Sequence, residues 1–205
     1  VAWGIVANSG NANACCPQSH ENAQKMTEAA AAATGREPED FVVASTGVIG
    51  QTINIAAIEA GMPKVAAELN IQGSDAAAKA IMTTDTVKKE IALSFTVGGK
   101  EVKLGAIAKG SGMIHPNMGT MLAFITTDCA ITHEMLGDAL HEVVTKTFNR
   151  VTVDGDTSTN DMCVVLANGM AGNTLVEWKD EDYEAFRDAL MYVCRYLARG
   201  IAGDG

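Results

Sequence analysis

The strongest constraint on the fold lies between residues 91 and 108. Ile91, Leu93, Phe95 and Val97 alternate with more polar neighbours, and after Gly98-Gly99 the alternation resumes at Val102, Leu104, Ala106 and Ala108. A repeat of two is the side-chain period of a strand, and two adjacent glycines supply the positive φ angles of a tight hairpin turn. The stretch therefore predicts an antiparallel hairpin with one buried face. Any chain that contains it must supply apolar material to cover that face. The second strand runs into Lys109 and the loop GSGMIHPNMG, and the chain then re-enters an apolar run, Met121–Ile125, of the length and character of a buried strand.

The remaining elements fall around this hairpin. Trp3–Ala7 is a short strand-like run that stops at NSGNANACCP, a cluster of turn-forming residues. Ser19–Thr34 reads as a helix, with Ser19 at its N-cap and Gly35 as its stop. Phe41–Ala44 reads as a buried strand ending in STGVIGQ. Two short helices are expected next, one around Asn54–Ala60 ended by Gly61 and one from Pro63 to Leu69, followed by Asp75–Met82 capped by Ser74. Thr132 caps a helix over His133–Phe148. Arg150–Val153 and Met162–Ala167 read as strands on either side of the loop DGDTSTND, and Asp182–Ala198 is the last helix. Strands and helices alternate without regular βαβ spacing. The expected class is α/β, a mixed-sheet layered domain over residues 1–205, not a doubly wound parallel one. Val1 opens into a strand already under way and LARGIAGDG stops in a Gly-rich phrase, so a piece of a longer protein is expected.

Composition excludes several functions. Lys plus Arg number 15 against 25 Asp plus Glu, a net charge of −10, with no basic block, which argues against nucleic acid or an anionic membrane as a partner. No apolar run approaches the roughly 20 residues of a membrane span, and a cytoplasmic location is expected. The five cysteines, Cys15, Cys16, Cys129, Cys163 and Cys194, are odd in number, include an adjacent pair and show no CxxC spacing. Reduced, mostly buried thiols are expected rather than disulfides or zinc ligands. His20, His115, His133 and His141 are scattered, with no HExxH, so no metal is expected. DGDTSTND fails as a calcium loop, since Thr159 stands where Gly is needed and Val165 where Glu is needed. KGSGM lacks the spacing of a serine nucleophile elbow, GSGMIH the last glycine of a dinucleotide fingerprint, and GVIGQT the lysine of a phosphate loop.

Hydroxyl chemistry without a resident histidine base is what remains. A threonine at a chain N-terminus can perform it, because its own α-amine, with a pKa near ~8, accepts the hydroxyl proton. Thr120, after Gly119 at a loop-to-strand boundary, is one hydroxyl of many by position alone, and a plain turn or strand start is the alternative. In Ser45-Thr46-Gly47 the Thr46 hydroxyl and the Gly47 N–H could face one bound atom, or the motif is an ordinary turn. Thr83-Thr84-Asp85-Thr86 reads either as a helix-end turn or as a substrate contact.

The phrases NSGNANAC, ASTGVIGQ, AIMTTDT, AKGSGMIHPNMGTMLAFITTD and FNRVTVDGDTSTNDM stand in this order over most of residues 6–169, and the ending LARGIAGDG joins them. Together they resemble the ornithine acetyltransferase (glutamate N-acetyltransferase) family of bifunctional arginine biosynthesis proteins. The resemblance implies a layered, N-terminal-nucleophile-like fold and self-cleavage between Gly119 and Thr120, giving an α-chain portion 1–119 and a β-chain portion 120–205 that assemble as an α2β2 heterotetramer. It implies that Thr120 is the nucleophile, taking the acetyl group of N-acetylornithine and passing it to glutamate. Thr46 and Gly47 match the oxyanion hole; Thr83, Lys109 and Thr120 match substrate-binding positions, with Thr84 as a neighbouring alternative to Thr83. No cofactor is implied, though acetyl-CoA enters as a further acetyl donor in bifunctional members. Family members are about twice this length, which implies further substrate residues beyond Gly205, and Gly119 stands where Ala is usual. Two other readings stay open at this point: an N-terminal-nucleophile amidase or aminopeptidase, and a truncated, non-catalytic homologue.

Overall fold

The structure, a computed structural model, describes residues 2–114 and 121–205. The chain forms two compact units, Val1–Thr83 and Thr84–Gly205.

In the first unit, strands β1 (Gly4–Asn8) and β2 (Phe41–Ser45) pair in parallel, Gly4 opposite Phe41 and Asn8 opposite Ser45. Helix α1 (Ser19–Thr34) makes the crossover, as a parallel pair requires. Its start differs from expectation, since the capping position is Gln18 in a left-handed conformation (φ 67°) and no side chain caps the helix. Helix α2 (Ile55–Ala67) packs on α1 and contains both Gly61 and Pro63, where two helices separated at these residues are expected from sequence. Gly and Pro inside a helix cost about 1 and about 3 kcal/mol against Ala. Burying Met62 with Val6, Met26, Ala30 and Ile53, and packing Ile55 and Ile58 against them, offsets that cost only if α2 stays in one piece. Helix α3 (Ser74–Ala80) follows, one position away from the expected start and two short of the expected end.

The second unit is built on the hairpin. Strands β3 (Lys89–Val97) and β4 (Lys100–Lys109) pair with Val97 opposite Lys100, so Gly98 and Gly99 form a two-residue turn. Their φ angles, 54° and 71°, are both positive, the type I′ geometry that matches the twist of the flanking strands. Strand β5 (Leu122–Thr127) adds antiparallel to β4, and β6 (Met162–Ala167) adds parallel to β5 through the crossover helix α4 (His133–Lys146). The four-stranded mixed sheet, in the order β3-β4-β5-β6, bears out the expected α/β class. Thr132 caps α4 as predicted, its hydroxyl accepting the Met135 N–H at 3.3 Å.

Val97, Val102, Leu104, Ala106, Ala108, Ala123 and Ile125 from the sheet share one core with Met135, Ala139 and Val143 of α4 and with helix α5 (Glu181–Ala202). Phe186, Leu190, Val193, Cys194 and Leu197 form the buried stripe of α5, and Asp180 caps it by accepting the Tyr183 N–H at 3.0 Å. This helix runs four residues beyond the sequence expectation. Gly200 lies where α5 meets β3: a Cβ there would be 3.4 Å from the Lys89 Cγ, an ordinary van der Waals contact. The expected strand at Arg150–Val153 does not form. Phe148–Arg150 is a 3-10 turn, and Val153 makes one backbone bond, to the Ile114 carbonyl at 2.7 Å; its partner is irregular loop, which offers no ladder to extend. The five cysteines are free, but fewer are buried than expected: Cys129 and Cys194 are buried, Cys16 and Cys163 half-buried and Cys15 exposed, the N-terminal pair lying in the loop before α1.

Candidate active site

Two groups of predicted residues can be built from the chain upward, one in each unit. In the first, the loops after β1 and β2 continue the parallel pairing beyond the strands. Thr46 N–H donates to the Asn8 carbonyl (3.0 Å), Val48 N–H to Gly10 (2.9 Å), Ala12 N–H to Val48 (2.9 Å) and Gly50 N–H to Ala14 (3.0 Å). The Asn8 side-chain amide bonds the Asn11 carbonyl at 2.9 Å, so NSGNANA is an ordered wall and not a loose turn. Gly47 lies inside this ladder at φ 127°, and a Cβ there would come 2.3 Å from the Gly10 carbonyl carbon and oxygen. Only glycine fits. Thr46 is buried beside it, 1% exposed. The N–H groups on either side of Gly47 are used by the ladder, while among the described residues nothing accepts from the Gly47 N–H. Thr46 and Gly47 thus stand together on a rigid main-chain frame, as an oxyanion hole requires.

The second group gathers at the end of β4. Lys109 is 2% exposed, which is rare for a lysine without compensating charge. Asp85 supplies that charge: one of its oxygens lies 3.8 Å from the Lys109 Nζ, and the other accepts the Gly110 N–H at 2.6 Å and a 2.8 Å bond from the Lys89 Nζ. Lys89 also donates to Asp204 at 2.6 Å, and Asp204 in turn accepts from the backbone N–H and the hydroxyl of Thr86. Burial pushes the Lys109 ammonium below its ordinary pKa; Asp85 and Asp161 draw it back up, and Lys89 lowers it further. The Lys89 and Thr86 bonds hold the Asp204 carboxyl far below the usual carboxylate range.

The loop that leaves Lys109 is pinned along its described length. The Ser111 and Thr84 hydroxyls lie 2.7 Å apart, and the Asp154 carboxylate accepts the N–H groups of Met113 (2.5 Å) and Ile114 (2.9 Å). Those backbone bonds lower the Asp154 pKa. Gly205 closes against the same loop, where a Cβ would fall 2.5 Å from the Ser111 carbonyl oxygen. Beyond the loop, Asp161 accepts the Met121 N–H at 2.9 Å. Thr83 ends the first unit and Thr84 begins the second; both are exposed, and the Thr84 hydroxyl bonds that of Ser111. His115, Gly119 and Thr120 lie outside the described residues.

Sequence reasoning did not single out Asp85, Asp154 or Asp161. Asp85 was legible in TTDT only as one of several polar residues. The carboxylates of DGDTSTND invite a calcium test, which fails, and Asp154 and Asp161 instead accept backbone N–H groups some 40 residues earlier. Among the described residues, no group of three or more His, Cys, Asp or Glu could hold a metal ion, and no helix is long and apolar enough to cross a membrane.

Comparison with known proteins gives these residues a context. The arginine biosynthesis bifunctional protein ArgJ of Symbiobacterium thermophilum is 52% identical over 202 residues, which cover 98% of this chain and 50% of that protein. The glutamate N-acetyltransferase of Methanocaldococcus jannaschii is 50% identical over 205 residues, again 98% of this chain and 50% of that protein. A crystal structure of the arginine biosynthesis bifunctional protein argJ from Bacillus halodurans aligns with a TM-score of 0.50 at 36% identity, over 58% of this chain and 61% of that one. The chain spans about half the length of the curated relatives it matches. The ArgJ family model matches residues 2–205, nearly the whole sequence, and the chain accordingly belongs to the ArgJ family.

Proposed function

We propose that this chain is part of a glutamate N-acetyltransferase that moves an acetyl group from N-acetylornithine to glutamate through an acetyl-threonine on Thr120. The observation that carries the reading is Lys109: a buried ammonium, held by Asp85, at the mouth of a loop whose described residues are fixed by Asp85, Thr84 and Asp154. A desolvated cation on a rigid strand end suits an amino-acid carboxylate, because burial strengthens the attraction and the loop bonds remove the cost of ordering it. Family membership and the glutamate N-acetyltransferase among its relatives support the same reading.

In this proposal the Gly119–Thr120 bond is cut by the chain itself, leaving residues 1–119 and 120–205 as α and β chains. The Thr120 hydroxyl then attacks the acetyl carbonyl of N-acetylornithine, and its proton passes to the Thr120 α-amine. The Thr46 hydroxyl and Gly47 N–H take the negative charge of the tetrahedral intermediate, each typically contributing about 3–4 kcal/mol to such a step. The carbon–nitrogen bond breaks, and ornithine leaves with the proton returned by the α-ammonium. Glutamate's amine attacks the acetyl ester in the second half, and N-acetylglutamate departs as the threonine hydroxyl is restored. Thr83 and Lys109 bind substrate. No cofactor takes part; acetyl-CoA serves the same nucleophile as an alternative donor, and α and β chains pair as α2β2.

Intact-mass measurement of the purified chain beside a Thr120→Ala control tests this. Two fragments that part before Thr120, absent in the control, and acetyl transfer from N-acetylornithine to glutamate are expected. An uncut chain would end the claim that these residues form a self-processing enzyme, and hydrolysis of N-acetylornithine without transfer would move the assignment to an amidase. Replacing N-acetylornithine with acetyl-CoA in the same assay decides the second donor.

A further inference from the structure

Residue 121 is held by both of its backbone polar groups. Its N–H donates to Asp161 Oδ1 at 2.9 Å, and its carbonyl accepts the Met162 N–H at 3.0 Å. The row just inside it runs across the sheet as Lys109, Leu122 and Met162, so this clamp sits one residue beyond the buried lysine, at the same end of β5. A parallel ladder continued by one step would offer the Met121 N–H the backbone carbonyl of Asn160. The chain instead uses an ionisable carboxyl there, although a neutral acceptor already present would start the strand equally well. A half-buried carboxyl with no ion-pair partner in contact among the described residues costs desolvation energy. A purely structural strand start does not call for that cost.

The amide that Asp161 holds joins residue 121 to residue 120. Whatever the course of residues 115–120, covalent geometry keeps that amide within about 4 Å of the residue-120 α-nitrogen. We propose that Asp161 is a positioning residue for the acetyl-transfer and self-cleavage chemistry, fixing the first peptide group after Thr120 through the Met121 N–H. The inference rests on the reading of Thr120 as nucleophile and adds to it the residue that sets its register. Misplacing a reacting group by about 1 Å costs on the order of 100-fold in rate, so an anchor one peptide away acts on the rate and not on substrate affinity.

Asp161 also titrates above the ordinary carboxylate range. Burial raises its pKa from 3.8 to about 6, against the Met121 N–H, the Ser158 hydroxyl and the positive charge of Lys109. These are the groups that act on it: Met121 from β5, Ser158 from its own loop and Lys109 from β4, with Asp85 beyond as the partner of Lys109. The ionised form is the stronger acceptor, so the anchor slackens as pH falls through about 6.

The test compares wild-type chain with Asp161→Asn, Asp161→Ala and Thr120→Ala, following cleavage by intact mass and transfer by product formation across pH 5 to 9. Asp161→Ala is expected to lower kcat and the cleavage rate about 10- to 100-fold with the KM for N-acetylornithine unchanged, and to speed hydrogen exchange at the Met121 amide. Asp161→Asn keeps an acceptor oxygen and is expected to retain most of the rate while losing the acid limb near pH 6. Rates and pH profiles equal to wild type in both Asp161 variants, with Thr120→Ala inactive, would overturn this inference alone. An active Thr120→Ala would overturn the nucleophile assignment and this inference with it. If Asp161→Ala does not fold, the pH profile of Asp161→Asn decides.

Discussion

The two candidate regions hold their functional groups by opposite means. Around Thr46 and Gly47 the main chain does the positioning: four loop-to-loop backbone bonds and one glycine in a conformation that other residues rarely adopt. Around Lys109 the side chains do it, through a cluster of Lys89, Lys109, Asp85 and Asp204 with both signs of charge inside the unit. A main-chain frame suits a donor that must sit at a fixed point while charge develops, because nothing has to reorganise. A charge cluster suits a group that must stay ionised while buried and still accept a ligand's charge. The first arrangement is stiff and indifferent to pH; the second is sensitive to any change of charge within it.

The largest effect should therefore come from breaking the charge cluster at its centre. Lys89 joins Asp85 and Asp204, all three nearly excluded from solvent. Lys89→Ala leaves two buried carboxylates facing one another, and losing one member of a buried ion pair costs about 3–5 kcal/mol. Urea denaturation of the variant should show that loss, with Lys109 and the Gly110 turn loosened because both depend on Asp85. A cost under about 1 kcal/mol would place the cluster with ordinary surface pairs. A smaller effect is expected in the main-chain region, from Gly47→Ala, which puts a Cβ 2.3 Å from the Gly10 carbonyl. Strained backbone and forced overpacking together cost about 3 kcal/mol. Gly35 supplies the control: its φ of 69° is also positive, but nothing lies within 4 Å of the added Cβ. Gly35→Ala should cost only about 1–2 kcal/mol, the strain without the clash. Equal losses would show that conformation alone, and not the approach of the two loops, selects glycine at residue 47.

The same contrast explains what was legible in the sequence. The hairpin turn could be read to the residue because period-two alternation and Gly98-Gly99 are local signals, and the Ser19–Thr34 and Met162–Ala167 spans follow from the Gly35 stop and an apolar run. The expectations for Thr46, Gly47 and Lys109 rest on the order of five phrases, not on local chemistry, which leaves an ordinary turn as good a reading. Helix α2 was misread because Gly61 and Pro63 are local breakers, while Met62 between them is fixed by a core that no short window contains. Asp85, Asp154 and Asp161 were missed for a related reason. Each accepts a backbone N–H 25 to 41 residues away, and any residue but proline supplies one of those; Asp85 in addition meets Lys89 and Lys109, which its short TTDT window does not contain. A carboxylate that binds main chain leaves no pairing pattern in the sequence.

Asp161 allows the contrast to be sharpened with pH at the smallest cost to the fold. Its folded pKa, about 6, lies above its ordinary value of 3.8, so between these two values the folded chain binds more of this proton than the unfolded chain does. Stability then falls as pH rises through that window and stays lower above it. Asp204 works in the opposite sense. Its pKa is held below 3.8, so its contribution is present above that value and is lost as pH falls through the folded pKa. The two windows do not overlap, which lets one titration separate them. Denaturation midpoints of wild-type chain from pH 4 to pH 7 should carry a downward component that Asp161→Asn removes, while the loss below pH 4 remains. If Asp161→Asn left the pH 4 to 7 slope unchanged, the carboxyl would be open to water and the Met121 clamp would be a contact of no more consequence than a surface hydrogen bond. If the acid loss vanished as well, Asp161 and the Lys89–Asp204 pair would titrate as one network. The charge cluster would then extend from Asp204 to Asp161, with Lys109 as the group between them.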